Sequence, residues 1–465
     1  MSYGRRVIYT DATEITPENV VEEVRKAMPV HDRNRGEIQK LYDYYCGKTA
    51  ILQKEKEVRE TINHRINENR AYEIVSFHKG YTFGEPIQYI RRDTFSGSTT
   101  NDDAIAGDIN ALNGYMSDAN KAKCDEQLAE WMYVAGTSYR LTLPNDKWTP
   151  DGDEAPFKIK SRDPRNTFII YSNDVDQREL ASVCCTTREN NIQVFSGYTD
   201  KFYFEFSEFG EVKIKPHSLG MNPIIEYPAD TPRLGVFEIA LPLLDALNTL
   251  QSNRMDDIVQ YVNSFLAILG GELNDETYKK LNEWKTLCLP EGTDAKYLSS
   301  PMSQADIQTL KDDLYQSILT ICGVPFRNNG SGGENGVTIL LRDGYTEAEA
   351  RAKSTETTFK CSEKEFLKLA LRILRDTVGT ELRLTDIIPH FTRRNYDNIA
   401  SKSQVLIAML NNPKIHPELA FSHCGMFADP ESAYLQSKAY YDEQMAKWEP
   451  IEVDETEDED DVRAS

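Results

Sequence analysis

The sequence predicts an α+β fold, and three stretches of it carry that prediction. Apolar residues recur at the helical period of 3.6 residues over 234–271, and they do so again over 304–322. Residues 136–228 instead alternate apolar with polar side chains, as strands with one exposed face do. Long helices and a β-rich lobe are therefore expected in one chain.

The first 135 residues predict several helices. Thr16 and Pro17 suit the cap and the first residue of a first helix. Residues 35–79 predict two further helices, whose tyrosines indicate packing in a core or an interface. The polar stretch 94–108 predicts a loop, after which 109–135 returns to helix.

The 234–271 pattern predicts one amphipathic helix. Pro242 lies near its start, where proline is tolerated, and the glycine pair 270–271 ends it. The apolar stripe of this helix comprises Leu244, Leu247, Ile258, Val262, Phe265 and Leu269. The opposite face is polar, and we expect it to contact water or polar neighbours. That face carries Asp245, Asn248, Gln251, Asn253, Arg254, Asp256 and Asn263.

An insertion over 272–303 separates this helix from the helix predicted over 304–322. The insertion predicts a short helix followed by two strands, 286–289 and 295–300. The turn between these strands comprises Pro290, Glu291 and Gly292.

The C-terminal third of the chain is again predominantly helical in pattern. A helical pattern starts at Val337, is interrupted at 343–344 and continues over 346–377. Two last helices are predicted over 398–411 and 430–447.

Composition excludes several classes of protein. The net charge is -22, whereas a protein that grips nucleic acid by its phosphates needs a basic surface. This chain is therefore expected to repel DNA on average. Its apolar runs are too short to span a bilayer, so no membrane association is expected. The eight cysteines are scattered without a CxxC pair, which fits a reducing cytoplasm.

Motifs that would carry catalysis or bind a cofactor are weak. The GSGGENG stretch resembles a phosphate-binding loop, but no Lys-Ser or Lys-Thr follows it. His416, His423 and Cys424 could supply metal ligands, yet a fourth ligand at suitable spacing is missing. We therefore predict no catalytic residue, no cofactor and no metal.

Paired aspartates on the two long helices offer the best alternative chemistry. Asp256 with Asp257, and Asp312 with Asp313, could imitate the metal site of a nuclease. Adjacent residues on a helix point about 100° apart, however, so the two carboxylates of a pair diverge. A solvated or inter-subunit face is the preferred interpretation.

An ordered set of segments over about residues 35–430 resembles one protein family. In chain order, the segments are NENRAYEIVSFHKGYTFGEPIQY, AGTSYRLTL, DPRNTFIIYSND, PIIEYPAD, GVFEIALPLLDALNTLQSNRMDDIVQYVNSFLAILGG and LYQSILTICGVPFRNNGSGGENGVTILLRDGYTEAEARAKSTETTF. Together they resemble portal proteins of tailed bacteriophages, in the branch typical of long-tailed phages of Gram-positive hosts. No single segment is specific; the ordered set is.

The resemblance implies the regions of the portal fold. These are a wing over 1–233 with the β-rich lobe 136–228, a stem helix over 234–271, a clip over 272–303, a second stem helix over 304–322, a loop and a long wing helix with the tunnel loop over 323–395, a crown over 396–448 and a disordered acidic tail over 449–465.

The resemblance also implies roles for particular residues. The tunnel loop that lines the channel is expected at Leu341, Arg342, Asp343, Gly344, Tyr345, Thr346 and Glu347, with 328–336 as the second choice. The stem residues are Asp245, Asn248, Arg254, Asp256 and Asp257. The clip residues are Trp284, Lys285, Pro290, Glu291 and Gly292.

A portal protein is structural, and the resemblance implies no enzymatic activity. Its copies form a closed cyclic ring, twelvefold in this family, at one vertex of the capsid. Double-stranded DNA passes through the ring during packaging and ejection without sequence-specific binding. The implied partners are the terminase large subunit, the major capsid and scaffolding proteins, and the head-completion or adaptor proteins. Assembly takes place in the host cytoplasm, and the protein ends in the virion.

Two alternatives belong to other classes. One is a metal-dependent nuclease that uses the helix-borne aspartates, and the other is a minor capsid or adaptor protein without a channel. Metal-dependent cleavage of DNA by the pure protein would favour the first. A particle unable to form rings would favour the second.

Overall fold

The computed structural model describes residues 4–55, 61–92, 102–188, 191–207, 212–262, 265–269, 294–298, 304–326, 344–392, 399–427 and 430–446. The chain divides into two compact units, Met1–Arg393 and Arg394–Ser465. In its described ranges, the first unit contains both helices and sheets. No helix in these ranges has the length and apolar character needed to cross a membrane.

The described elements of the first unit follow one another in a mixed order. Its helices are α1 (Val20–Tyr45), α2 (Arg70–Phe83), α3 (Asp102–Asp118), α4 (Lys121–Ala135), α5 (Leu241–Val262), α6 (Gln304–Cys322) and α7 (Tyr345–Thr377). Its strands are β1 (Ile8–Thr10), β2 (Gln88–Arg91), β3 (Thr137–Pro144), β4 (Phe157–Arg162), β5 (Thr167–Ser172), β6 (Glu179–Thr187), β7 (Gln193–Tyr198), β8 (Phe202–Ser207), β9 (Lys213–Pro216), β10 (Ile224–Pro228), β11 (Phe265–Leu269), β12 (Asp294–Leu298) and β13 (Ile387–His390).

The β-rich stretch predicted over 136–228 is present, and it divides between two sheets. One sheet has the strand order β1-β5-β6-β7-β8-β9, with β1 parallel to β5 and the remaining pairs antiparallel. The other has the order β10-β3-β4. Strand β8 alternates as predicted: Phe202, Phe204 and Phe206 are buried. They pack in one core with Val20 and Val24 of α1, so this helix covers the six-stranded sheet.

The largest core lies between α2, α4, α5, α7 and the three-stranded sheet. Four charged side chains are buried inside it. Arg140 of β3 forms ion pairs with Asp125 of α4 and with Glu363 of α7, the latter at 2.8 Å, and Lys121 lies 2.9 Å from Glu363. The Arg140 guanidinium also stacks on Tyr227, 4.6 Å from the ring centre. Buried charges need such partners, and these ones join α4, α7 and β3.

The protonation of this cluster follows from its contacts. Burial alone would raise the pKa of Glu363, but the attraction of Arg140 and Lys121 exceeds that effect and lowers the pKa to about 2. Burial raises the pKa of Asp125, while Lys121 and Arg140 oppose that shift. The two cations therefore favour the ionised form of both carboxylates.

Three predictions for the N-terminal part are wrong: the start of the first helix, the helices over 35–79 and the loop over 94–108. The first helix begins at Val20 and runs without interruption to Tyr45, with Pro29 inside it, so 35–45 belongs to that helix. Thr16 forms the preceding turn, where its carbonyl accepts from the Val20 N–H at 3.0 Å. Helix α3 begins at Asp102, inside the predicted loop 94–108. Polar composition suggested a loop there, although acidic residues also favour the first turn of a helix.

The predicted helix over 234–271 is shorter than expected. It ends at Val262, and residues Phe265 to Leu269 form β11, which pairs antiparallel with β12. The stripe positions assigned to Phe265 and Leu269 are therefore wrong. A short apolar run reads equally well as helix or strand, and this one contains aromatic and β-branched residues. Strand β12 confirms the strand predicted over 295–300, whereas 286–289 lies outside the described residues.

The second unit contains α8 (Ile399–Leu410), α9 (Pro417–Cys424) and α10 (Pro430–Ala446). The helices predicted over 398–411 and 430–447 are confirmed, and α9 lies between them where none was predicted. His416 caps α9, since its ring accepts from the Glu418 N–H at 3.3 Å. Cys424 is buried in a small apolar core with Phe421. These contacts account for His416 and Cys424 without a metal.

Candidate functional site

The candidate site is the pair of long helices α5 and α6, which carries every predicted stem residue. Pro242 occupies the first turn of α5, where its missing N–H costs no hydrogen bond. The two helices contact one another, and Arg254 bridges them. Its Nε donates to Gln304 Oε1 at 3.0 Å and its Nη1 donates to Gln308 Oε1 at 2.8 Å. A double donor of this kind fixes the relative position of the two helices.

The polar face of α5 is covered by residues 63–69, a segment without helix or strand. Backbone N–H groups of alternate residues in this segment donate to α5 side chains spaced by four: Glu68 to Asn248 Oδ1 at 2.9 Å, Ile66 to Ser252 Oγ at 2.9 Å, and His64 to Asp256 Oδ1 at 2.7 Å. Four helical residues advance about 6 Å, and two residues of extended chain advance about 6.6 Å. The spacings match, so the segment runs antiparallel along the helix. We call residues 63–69 the strap.

This contact corrects the interpretation of Asp256. Its carboxylate was expected on a solvated or inter-subunit face, but the residue is 0% exposed, and Asn248 is 1% exposed. Asp257, its neighbour, is exposed as predicted. Asp245 is half-buried and accepts from the Tyr44 hydroxyl at 2.9 Å. Much of the polar face of α5 therefore meets polar neighbours of its own chain.

The surroundings of Asp256 explain how a carboxylate is tolerated there. Oδ1 accepts from the His64 N–H and lies 2.8 Å from His64 Nδ1, while Lys54 Nζ lies 3.5 Å from Oδ2. Lys54 also donates to Asn253 at 2.6 Å. Several donors around one carboxylate offset its desolvation. Asp256 is thus used in the strap contact.

The structure offers no support for a nuclease centre on these helices. Asp312 and Asp313 are exposed on α6, and Asp312 accepts from Gln308 Nε2 at 2.9 Å. Within the part of the chain that the structure describes, no three His, Cys, Asp or Glu side chains gather into a group able to hold a metal ion.

Glu68 joins the strap to both helices. Its carboxylate accepts from Gln251 of α5, from Lys311 of α6 at 2.9 Å and from Arg70 at 2.8 Å. Burial alone would raise the pKa of Glu68, but the hydrogen bonds from Lys311, Gln251 and Arg70 lower it. Arg70 also stacks on Tyr315 of α6, 4.3 Å from the ring centre. One carboxylate therefore ties three elements together.

The C-terminus of α6 is held by two other helices. Arg351 of α7 donates from Nη1 to the Ile321 carbonyl at 2.9 Å, and His78 Nε2 of α2 lies 2.7 Å from the Cys322 carbonyl. Burial lowers the pKa of His78 to about 4, so the ring is neutral near pH 7 and donates through Nε2. These donors satisfy carbonyls that the end of a helix leaves free.

The structure describes only part of the expected tunnel loop. Gly344 precedes α7 in a left-handed conformation with φ +82°. Tyr345, Thr346 and Glu347 form the first turn of α7 rather than a loop, and Glu347 pairs with Arg351 at 2.7 Å. Leu341, Arg342 and Asp343, the second choice 328–336, and the clip residues Trp284, Lys285, Pro290, Glu291 and Gly292 lie outside the described residues.

Other faces of α5 and α6 carry side chains that the described part of the chain leaves exposed. Exposed apolar side chains occur on both helices, and Leu310 of α6 is 50% exposed. The others are Met255, Ile258 and Ile321. Exposed aspartates lie on the same helices, at positions 257, 306, 312 and 313. Apolar and acidic surface therefore occur together on this helix pair, and exposed apolar surface is typical of contact sites.

The sequence shows which α5 residues face the strap, but their spacing does not distinguish a strap from solvent. Asn248, Ser252 and Asp256 recur every four residues on one line of α5, a pattern that a solvated face shares with a face bound by a polar segment. Their partners were not foreseeable, because backbone donors in 63–69 leave no mark in composition. Glu68 and His78 were missed because the partners of their side chains lie on helices distant in sequence.

Comparison with known proteins gives one family match that spans most of the chain. A family model described as phage portal protein, SPP1 Gp6-like, matches residues 26–458. No curated protein sequence matches the chain at a significant level.

Solved structures with some similarity to this chain include three of gene transfer agent (GTA) particles. The neck of an empty GTA particle with C6 symmetry is 14% identical, with a TM-score of 0.45 over 77% of this chain and 90% of that chain. The neck of the native GTA particle with C12 symmetry is 14% identical, with a TM-score of 0.44 over 77% and 89%. The native GTA virion gives 13% identity and a TM-score of 0.43 over 77% and 89%.

Proposed function

This chain belongs to the SPP1 Gp6-like family of phage portal proteins, and from that premise we propose that its copies close into a ring around a channel for double-stranded DNA. The observation that carries the proposal is the family match over residues 26–458. It covers both long helices, the β-rich stretch and most of the second unit. The proposed ring is twelvefold, and its proposed place is one vertex of the virion.

The helix pair α5 and α6 supports this proposal as the proposed stem. Arg254, Glu68 and the strap hold the two helices to each other and to the rest of the first unit. The apolar side chains Leu310 and Ile258 stay exposed, which leaves surface for neighbouring copies. A contact between different faces of successive copies, repeated around an axis, closes into a ring.

Charge supports the proposed passage of DNA. The chain carries a net charge of -22, and exposed aspartates lie on both helices of the proposed stem. An acidic wall repels phosphates, so DNA slides past it without being held. We propose that packaging and ejection both use this channel, without recognition of sequence.

The proposed partners follow from the same role. The terminase large subunit docks on the proposed clip, residues 272–303, during packaging, and head-completion or adaptor proteins bind there afterwards. Major capsid and scaffolding proteins surround the ring during assembly in the host cytoplasm. The wing over 1–233, the tunnel loop around residues 341–347 and the crown over 396–448 complete the proposed regions.

Electron-microscope images of the purified protein, with its mass in solution measured on the same sample, test the proposal. Rings with a central hole and a mass of about twelve chains of 53.0 kDa each are expected. A compact dimer without a channel would overturn the ring. The proposal also expects no cleavage of DNA by the pure protein with Mg²⁺ or Mn²⁺, and cleavage that Asp312→Ala abolishes would contradict it.

A further inference from the structure

A groove with a cavity volume of about 540 Å³ lies between α7, strand β13 and the residues just before that strand. Its apolar lining includes Leu384 and Ile388, both partly exposed, above the buried Leu367. Arg92, at the end of β2, also lines it. The floor of the groove, Leu367 and Ile387, belongs to the largest core, whereas the stem contacts described above do not involve the groove.

The polar lining of the groove is cationic. Arg92, Lys360 and Lys364 line it, and among the residues that the structure describes no acidic side chain lines it. Lys360 pairs with Glu356 along α7 at 2.5 Å. Arg92 and Lys364 are exposed, and neither has an ion-pair partner within the described ranges. In a chain with a net charge of -22, an apolar groove whose described charged lining residues are all cations is a local reversal of sign.

One segment of the chain has the complementary chemistry. Nine of the thirteen residues in 449–461 are Asp or Glu. At the start of this segment Ile451 and Val453 alternate with Glu452 and Asp454. In extended backbone, that alternation places the two apolar side chains on one face and the two carboxylates on the other. The apolar face matches Leu384 and Ile388, and the carboxylates match the rim.

We propose that this groove binds the acidic C-terminal segment, residues 449–461, of a second copy of this chain. The choice of a second copy rests on the proposed assembly of copies into a ring. Binding adds carboxylate partners for Arg92 and Lys364 and covers the apolar lining in one step. The segment then links neighbouring copies, a role separate from the stem contacts.

Disulfide cross-linking in the full chain tests the proposal. Cys361 lines the groove and is exposed. Val453→Cys places a thiol on the apolar face of the acidic segment. Mild oxidation of this variant is expected to give covalent multimers on a non-reducing gel. Adding Cys361→Ala to the same chain should remove these multimers. The exposed Cys46 remains in that chain, but it does not line the groove and so should not replace Cys361.

Charge reversal tests the cationic rim. Lys364→Glu in the Val453→Cys chain is expected to slow cross-linking by about fivefold or more, and raised salt should slow it further. Lys353→Glu is the matched control, because Lys353 is an exposed lysine of the same helix about 16 Å along its axis. That distance exceeds the screening length of about 8 Å at physiological salt, so this control should leave the rate unchanged.

The remaining outcomes separate failure of the groove assignment from failure of the proposed ring. A cross-link within a single chain would overturn the assignment to a second copy. If the sample is monomeric by mass, a synthetic peptide of residues 449–461 should still slow alkylation of Cys361 by iodoacetamide, and Lys364→Glu should abolish that protection. Rings without the cross-link would refute the groove assignment alone. Absence of peptide protection would refute it in any oligomeric state.

Discussion

The strap makes a sharp prediction about Asp256. Replacing it by alanine removes the acceptor of the His64 N–H at 2.7 Å, the contact to His64 Nδ1 at 2.8 Å and the Lys54 contact at 3.5 Å. A hydrogen bond to a buried charged group contributes about 1.5–3 kcal/mol, and the Lys54 contact adds less because it is long. We therefore expect Asp256→Ala to destabilise the strap against α5 by about 3 kcal/mol.

Hydrogen exchange measured by mass spectrometry reports this change where it occurs. The His64, Ile66 and Glu68 amides of the strap donate to side chains of α5, so their exchange reports local opening of the strap rather than global unfolding. A loss of about 3 kcal/mol accelerates exchange in a peptide covering 63–69 by about a hundredfold. Peptides from the six-stranded sheet should be unaffected.

Asp257→Ala provides the control, because Asp257 is the adjacent residue, carries the same charge and is exposed. This substitution changes the net charge and the helix propensity by the same amount as Asp256→Ala, but Asp257 contacts no donor of the strap. Equal exchange in the two variants would refute the strap as a stabilising contact. Asp256 would then belong to a solvated face of α5, as its polar neighbours in the sequence suggest.

Three further predictions concern the first unit. Arg140→Met leaves Asp125 and Glu363 buried with one cation fewer, so the free energy of unfolding measured in urea should fall by about 3–5 kcal/mol. The pKa of Glu363 is lowered from 4.5 to about 2, so the ionised side chain stabilises the fold above pH 4.5, and this stabilisation is lost as the pH falls towards 2. The difference in free energy of unfolding between wild type and Glu363→Gln, about 3 kcal/mol at pH 7, should therefore shrink between pH 4.5 and pH 2. Gly136→Ala combines φ +80° with a Cβ only 2.0 Å from the Arg233 carbonyl oxygen, so it should lower the free energy of thermal unfolding by at least about 2 kcal/mol.

The helices with strong periodicity were predictable from sequence. Helix α6 has the bounds that its apolar pattern predicts, and α7 begins one residue before the predicted Thr346 and ends at the predicted Thr377. The alternating phenylalanines of β8 likewise fixed a strand and its buried face. In each of these elements one physical signal dominated, and no other element competed for the same residues.

The misses share a physical cause, which is that long-range partners decide local structure. The run Phe265 to Leu269 continues the helical stripe of α5, but pairing with β12 makes it a strand. Asp256 sits among polar neighbours in sequence, yet a segment almost two hundred residues away buries it. The separation of two sheets within 136–228 also depends on pairing, which alternation does not encode.

The strap contact is polar, and burying polar groups is costly. In return, a polar contact holds α5 and the strap in one fixed register. An apolar contact along α5 would tolerate a shift of the strap, because dispersion and burial depend weakly on register. Three side-chain acceptors, each matched to one backbone donor, do not tolerate it. A shift by one residue would turn the donors of Glu68, Ile66 and His64 away from α5 and would leave the Asp256 carboxylate buried without its N–H partner. The cost of an unpaired buried carboxylate is several kcal/mol, so the helix and the strap are confined to one register. In the proposed ring, that register would set the same position of α5 in every copy.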